Sequence, residues 1–434
     1  MSLGPAAPAV SERARPVLGF WSLLALGLNG IVGVGIFFAP AELAGLVPGA
    51  ASALVFAVTA LMLVPVAWCY GRLGGAYAED GGPYVWAREA LGPRFAYGVG
   101  LVAYASAVLS TAAVVSGLGQ YLAPELGIAS PSGHALFRAG TALLLSAVVL
   151  LGLRPSAWVW SGLTVLKLLP LVLLAALGGL GLGGEGRGVA QAAPVTPGDF
   201  TRAALLAVFP LQGFEIVAVP AGEARGGQRT VFSATLLALG LAGLLYVLLQ
   251  LACVRALPAL AQTAAPVVAA GAHYTHGAGT TWFAAGTNVS AIGIAFGMFA
   301  MTPRYLAALG TEQQLGRALA HQRRGVPVLA LGATTAAVVV LVTSSSLGRL
   351  FVLSSLAVLT QYAVSALCLL RLAQRRERGL GLVDLWLAPL TLVSIAALAQ
   401  AAKLAELAIL AAILAAGFGL RALRLALASR QGAR

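Results

Sequence analysis

Two ionisable side chains stand inside long apolar runs of this chain, where a charge is costly and rarely kept without a use. Lys167 lies in VLKLLP and Glu215 in FPLQGFE. Lys167 is about eleven residues into its run, or ~16 Å at the helical rise, too deep to reach either interface comfortably. The backbone itself breaks the pattern in two places, the second of which contains Glu215. GIVGVGIF, Gly30 to Phe37, puts glycine at positions 30, 33 and 35, with Pro40 soon after. FPLQGFE, Phe209 to Glu215, joins Pro210, Gly213 and a carboxylate. Glycine costs about 1 kcal/mol and proline about 3 inside a helix. Backbone groups freed in an apolar segment are tolerated only beside protein or a cavity. The N–H groups that start a half-helix attract an anion, and freed carbonyls accept from an ammonium. A site with both suits a zwitterion. The first run also reads as close helix packing through small residues, whereas the second combines three disruptive residues. For the single residues a structural reading stands beside any functional one. Lys167 can cap carbonyls of the first break, Glu215 can hold the second break open, and Phe209 can be a packed core ring.

Other candidates are weaker. His273 and His276 are spaced as HxxH, but sit in a Gly-rich loop without a nearby carboxylate or cysteine, as expected of solvated loop residues. His134 and His321 are loop residues too. Ser106, Ser110, Asn288 and Ser290 are polar positions in apolar segments, suited to a pocket or to interhelical hydrogen bonds. Asp384 and Lys403 fall near segment ends, where interfacial anchoring suffices. An intramembrane enzyme would need paired aspartates, a HExxH site or a nucleophile with a base. The aspartates are Asp80, Asp199 and Asp384, none deep in an apolar run, and no GxxxxGK[ST] run supports ATP-driven pumping. No catalytic residue, metal site or cofactor is expected.

These residues need elements to hold them. Of 434 residues, 59% are of the AVILMFWYC class and 9% are charged, against about 25% charged in a soluble domain. So few charges cannot cover a water-facing surface of this size. Three scattered cysteines, Cys69, Cys253 and Cys368, make no disulfide framework. The apolar runs divide into twelve spans of the length a bilayer requires, with an outer loop around His273 and a helix from about Thr281. An even number puts both termini on one side. Only Arg138, Arg187, Arg202, Arg255, Arg349 and Lys403 then fall outside, so the positive-inside rule places both termini in the cytoplasm. The same asymmetry accounts for the net charge of +13 without nucleic acid. The expected organisation is a cytoplasmic tail over 1–16, five spans over 17–182, five over 201–372, two over 383–427 and a tail over 428–434. The first and sixth spans carry the breaks, which are corresponding positions in two halves of five. Paired interruptions of this kind point to an inverted-repeat transporter with its site at the midplane.

The chain resembles the amino acid–polyamine–organocation permeases, whose fold is the LeuT type. GIVGVGIFFAPAELAG is similar to their first-helix motif. YGRLGGAYAEDGGPYVWAREALGP, Tyr70 to Pro93, is similar to their inner loop between helices 2 and 3. FPLQGFE with Glu223, TPRYLAALG from Thr302 and RRGVPVLAL from Arg323 resemble later signatures, in order through helix 9. The resemblance implies an all-α integral membrane protein, with a five-plus-five inverted repeat, broken helices 1 and 6 and two further helices. It implies a substrate site formed by Ile31, Gly33, Val34, Gly35, Phe209, Gln212 and Gly213. The N–H groups of Val34 and Gly35 would hold a carboxylate, and the carbonyls of Ile31, Phe209 and Gln212 an ammonium. Many relatives carry a serine where this chain has Val34, so one donor is missing. Lys167 matches a lysine that stands in place of a sodium ion in some relatives. Glu215 matches a proton-responsive gate of the arginine/agmatine antiporters, and Phe209 an aromatic gate. The expected function is secondary active transport of an amino acid by alternating access, in the plasma (inner) membrane, independent of sodium, with the proton as candidate coupling ion. One acid and one base in the core favour a neutral substrate over a cationic one. An exchanger of cationic amino acids or amines is the alternative, and a solute receptor without transport is a third class. The direction of transport and the oligomeric state stay open.

Overall fold

Long uncharged runs can satisfy their backbone in an apolar medium only by turning into helices, and that is what the chain does. The computed structural model describes residues 18–77, 82–151, 157–179, 194–311 and 315–431. In order, the helices are α1 (Phe20–Ile31), α2 (Gly35–Leu46), α3 (Ala51–Ala76), α4 (Pro83–Leu91), α5 (Pro93–Glu125), α6 (Pro131–Leu150) and α7 (Ala157–Gly179). Next come α8 (Pro197–Leu211), two 3-10 turns (Phe214–Ala218 and Ala221–Glu223), α9 (Gly227–Ala256), α10 (Pro266–Tyr274) and α11 (Thr280–Thr311). A two-residue hairpin of β1 (Gln322–Arg323) and β2 (Val326–Pro327) precedes α12 (Val328–Ser344), α13 (Leu347–Gln374), α14 (Leu382–Ala399) and α15 (Leu404–Gln431).

Among the described residues, α3, α5, α6, α9, α11, α13, α14 and α15 are each long and apolar enough to cross a bilayer. A ninth crossing is α1 with α2, bent by 47° at their junction. The chain is a multi-pass, all-helical membrane protein apart from the small hairpin. α13 and α5 form its centre, with 78% and 72% of their most apolar windows buried, against 22% for α6 and 17% for α15. The outer helices turn large apolar side chains outward, such as Leu136, Trp386 and Leu404, as a surface facing lipid should.

Several local expectations change. The segment from Tyr70 to Pro93 is largely helical: α3 runs on through Ala76, and Pro83 opens α4, where its missing N–H costs nothing. The outer loop holding His273 folds into α10, again opened by a proline, Pro266, while the following helix starts at Thr280. Asp384 is no mere interfacial anchor. It is buried, accepts two hydrogen bonds of 2.8 Å from Arg72 of α3, and its carboxylate also accepts the Gly381 N–H at the start of α14. Arg72 additionally donates to the Gly379 carbonyl at 2.9 Å. The tail over 1–16, Asp80, Arg154, Arg187 and residues 432–434 lie outside the described residues.

Candidate functional site

The first break begins where α1 ends. The Val32 N–H closes the helix onto the Leu28 carbonyl at 2.8 Å, and the Gly33 N–H turns back to the Ile31 carbonyl at 2.7 Å. Val34 and Gly35 then start α2, so their N–H groups are among the first of a new helix and lack intrahelical acceptors. The carbonyls freed at the end of α1 are taken up by side chains. Tyr246 of α9 donates its hydroxyl to the Ile31 carbonyl at 2.9 Å, and the Lys167 ammonium of α7 donates to the Asn29 carbonyl at 3.1 Å. The Ile31 carbonyl therefore already accepts two hydrogen bonds and has little left for a ligand's ammonium.

The second break follows α8. Pro210 stays inside the helix; the disruption falls on Gln212, which is extended, and on Gly213, whose φ of +119° an L side chain rarely adopts. Beyond it the chain continues as 3-10 turns rather than a second α-helical half. Glu215 sits in the first turn, where its Oε2 accepts the Gly213 N–H at 2.7 Å and the Tyr362 hydroxyl of α13 at 2.8 Å. The Gln212 amide donates to Ser110 of α5 at 3.1 Å and Ser354 of α13 at 3.2 Å, and the two hydroxyls are bonded to each other at 2.7 Å.

The two breaks touch. A Cβ on Gly30 would stand 2.7 Å from the Gly213 carbonyl oxygen, and one on Gly35 would stand 3.0 Å from the Phe209 ring. Only glycine allows this approach. Farther along, the Leu18 N–H donates to the Glu223 carbonyl at 2.9 Å and the Arg225 N–H to the Leu18 carbonyl at 2.8 Å, tying the start of α1 to the end of the second broken segment.

Both breaks line one cavity of about 840 Å³. Of the residues named from sequence, Ile31, Gly33, Val34, Gly35, Phe209, Gln212, Gly213 and Glu215 lie on its wall, together with Ser106 and Ser110. Lys167 does not. It is buried behind the first break and reaches the site only through the Asn29 carbonyl. Asn288 is likewise absent from the wall. Phe209, on the cavity wall, stacks on Phe351 of α13, ring centroids 4.2 Å apart and nearly parallel. Tyr84 and Arg88 of α4 and Tyr305 of α11 also line the cavity. Gln361, Tyr305, Tyr246 and Tyr362 were not anticipated. Their one signal was that each is a polar side chain in a largely apolar helix. Chemically, the site offers helix-starting amides on one wall, the carbonyls at the end of α8 on another, and, among the described residues, one carboxylate, Glu215, facing the same space.

Comparison with known proteins agrees with this architecture. Residues 18–419 match the family described as Amino acid permease. An uncharacterized transporter of Mycobacterium tuberculosis is 29% identical over 392 residues, covering 87% of this chain and 84% of that protein. The human cationic amino acid transporter 4 is 26% identical over 381 residues, 82% of this chain and 60% of that protein. A cadaverine/lysine antiporter of Escherichia coli is 28% identical over 239 residues, 53% of this chain and 52% of that protein.

Proposed function

The chain belongs to the amino acid permease family, and on that premise we propose that it is a secondary transporter moving an amino acid by alternating access around the contact between its two helix breaks. The observation that carries this is the shared cavity: two interrupted segments, far apart in sequence, meet through Gly30 and Gly213 and line one space. Counting the bent α1–α2 pair, α8 with its 3-10 continuation, and the shorter apolar α7 and α12 as crossings gives the twelve spans of a LeuT-type arrangement. The five-plus-five division over 17–182 and 201–372, with two further helices over 383–427, follows from that count. The arginine distribution favours both termini in the cytoplasm of a plasma (inner) membrane. In that orientation the cavity opens inward past Arg88 and Tyr305 and is closed outward by Phe209 and Phe351.

The substrate carboxylate then sits on the Val34 and Gly35 N–H groups at the positive end of α2. Its ammonium faces the carbonyls of Phe209 and Gln212, which belong to the unsatisfied C-terminal end of α8; the double bonding of Ile31 removes that carbonyl from the set. Glu215 gates the inner side and Lys167 holds the first break. A neutral amino acid fits the charge balance of Glu215 against Lys167. A second reading, an exchanger of cationic amino acids or amines, is favoured by one observation: Glu215 faces the cavity while Lys167 is turned away from it. The names of the human and E. coli relatives point the same way. Uptake of radiolabelled alanine, leucine, lysine and cadaverine into proteoliposomes tests both readings. Uptake of alanine or leucine without lysine supports the neutral substrate, the reverse supports the cationic one, and uptake of none overturns the transport proposal.

A further inference from the structure

α15 is thinly held: 17% of its most apolar window is buried. Its inner half packs on the start of α5. The Tyr97 hydroxyl donates to the Gly417 carbonyl at 2.7 Å, and the Tyr97 and Phe418 rings meet edge to face at 5.3 Å. A Cβ on Gly98 would stand 3.2 Å from the Phe418 ring, and one on Gly417 would run into Leu101. Tyr97, Gly98 and Leu101 are spaced as one helical face. Arg94, three residues before Tyr97 and four before Gly98, continues that face, one turn nearer the end of the bilayer. On α15, which runs the opposite way, Arg421 follows Gly417 by one turn toward the same end.

Both arginines border this seam. The Arg421 guanidinium lies over the Tyr97 ring, 4.8 Å from its centroid. The Cα of Arg94 is ~5 Å along the helix from that of Tyr97, so one small anion can be reached by both long side chains. Neither charge is answered by the protein. Among the described residues no ion pair holds Arg94 or Arg421, and the Arg421 Nε–H is buried without an acceptor. Arg421 must therefore be compensated through its outer nitrogens, which belong to a partly exposed side chain. The surroundings say what kind of anion can come. Phe95, Phe418, Leu420 and Leu423 are large apolar side chains left exposed beside the two cations, a surface made for lipid tails. An anion that settles there gains by carrying apolar tails of its own. Phosphate oxygens match the planar fork of a guanidinium, and basic clusters at a membrane edge attract anionic lipids.

We propose that the α5–α15 seam binds an anionic phospholipid, its phosphate bridging Arg94 and Arg421 and its chains lying along the exposed apolar side chains of both helices, so that the lipid fastens α15 to α5. The leaflet is the cytoplasmic one in the orientation given above. The site itself does not depend on the transport reading.

The purified full-length chain in detergent is titrated with short-chain phosphatidylglycerol, phosphatidylcholine or inorganic phosphate. Bound lipid is counted by native mass spectrometry, and the melting temperature is followed, since a ligand of the folded state raises it. Phosphatidylglycerol should be retained and raise the melting temperature, while phosphatidylcholine and inorganic phosphate should do neither at the same concentration. Arg94→Gln and Arg421→Gln should each raise the half-saturating concentration about tenfold, the loss expected for one charge-assisted hydrogen bond. Arg323→Gln removes the same charge from the exposed strand β1 and should bind as wild type. Arg94 is exposed, so its variant keeps the packing and melts as wild type without lipid, which separates lost binding from lost folding. Equal effects of the two lipids, binding unchanged in both seam variants, or an equal loss in Arg323→Gln would overturn the site. Inorganic phosphate that matches phosphatidylglycerol would make it a soluble-anion site and overturn the lipid.

Discussion

Gly30 and Gly213 carry the contact between the two breaks, and each resists a side chain for a different reason. At Gly30 a methyl group would meet the Gly213 carbonyl at 2.7 Å, and at Gly213 the backbone itself has φ +119°. Gly30→Ala and Gly213→Ala should therefore each abolish uptake and lower the melting temperature in detergent; normal transport by either would mean that the breaks need not touch. Glu215→Gln tests chemistry rather than shape. The amide keeps one acceptor for the Tyr362 hydroxyl and the Gly213 N–H but loses the charge, so uptake should fall at least tenfold while expression and melting stay near wild type. Wild-type uptake across pH would leave Glu215 a replaceable structural group. Val34→Ser adds a hydroxyl beside the proposed carboxylate position and should keep or tighten substrate binding, read as an unchanged or lower KM. The glycines and Glu215 were legible because their types are costly in an apolar run, so their presence alone is informative. Tyr246, Tyr362 and Gln361 were not, since a polar side chain in a largely apolar helix is equally compatible with a headgroup contact, and only the packing of α9 and α13 against the breaks turns them inward.

Among the elements, α14 is fastened to α3 by Asp384 and by Thr391, whose hydroxyl donates to the Pro65 carbonyl at 3.1 Å. Asp384 is buried with a bidentate Arg72, and the same carboxylate caps the first turn of α14. Removing one partner of a buried pair costs more than the pair is worth, because the other charge is left behind. Arg72 is 25% exposed, and partial hydration lowers that cost to roughly 2 kcal/mol. Asp384→Asn should therefore reduce thermal stability by a few degrees without changing the KM for substrate, because the pair lies away from the cavity. A changed KM with unchanged melting would instead couple α14 to the transport cycle. The long elements could be read from sequence because twenty apolar residues leave few alternatives. α4 and α10 could not: each is nine residues long, opened by a proline that in sequence reads as a loop signal and in structure occupies the one helical position where proline is free. The 3-10 continuation after Gly213 was equally hidden, because glycine and glutamate announce that a helix stops but not which backbone form succeeds it.

For the molecule as a whole, the question is what drives it, and Lys167 bears most directly on the answer. A sodium ion at the first break would need freed carbonyls and further oxygen ligands from neighbouring helices. Here the Lys167 ammonium, itself buried, already donates to the Asn29 carbonyl, and the Tyr246 hydroxyl occupies the Ile31 carbonyl. With the carbonyls filled by protein donors, a sodium ion would have to displace a charged group from a buried hydrogen bond, so uptake should be unchanged when sodium is replaced by choline. A strict sodium requirement would overturn this assignment. Lys167 can serve in two ways: as a fixed charge that braces the first break in a simple exchanger, or as a group that gives up its proton when the break moves and the carbonyl withdraws. The two separate in one measurement. In proteoliposomes with an inward proton gradient, coupling predicts accumulation above the external concentration in wild type and none in Lys167→Met, with exchange of internal for external substrate retained by the variant. If accumulation survives the substitution, the proton travels elsewhere. If exchange is lost along with it, the lysine is a brace, and the first break cannot hold its shape without it.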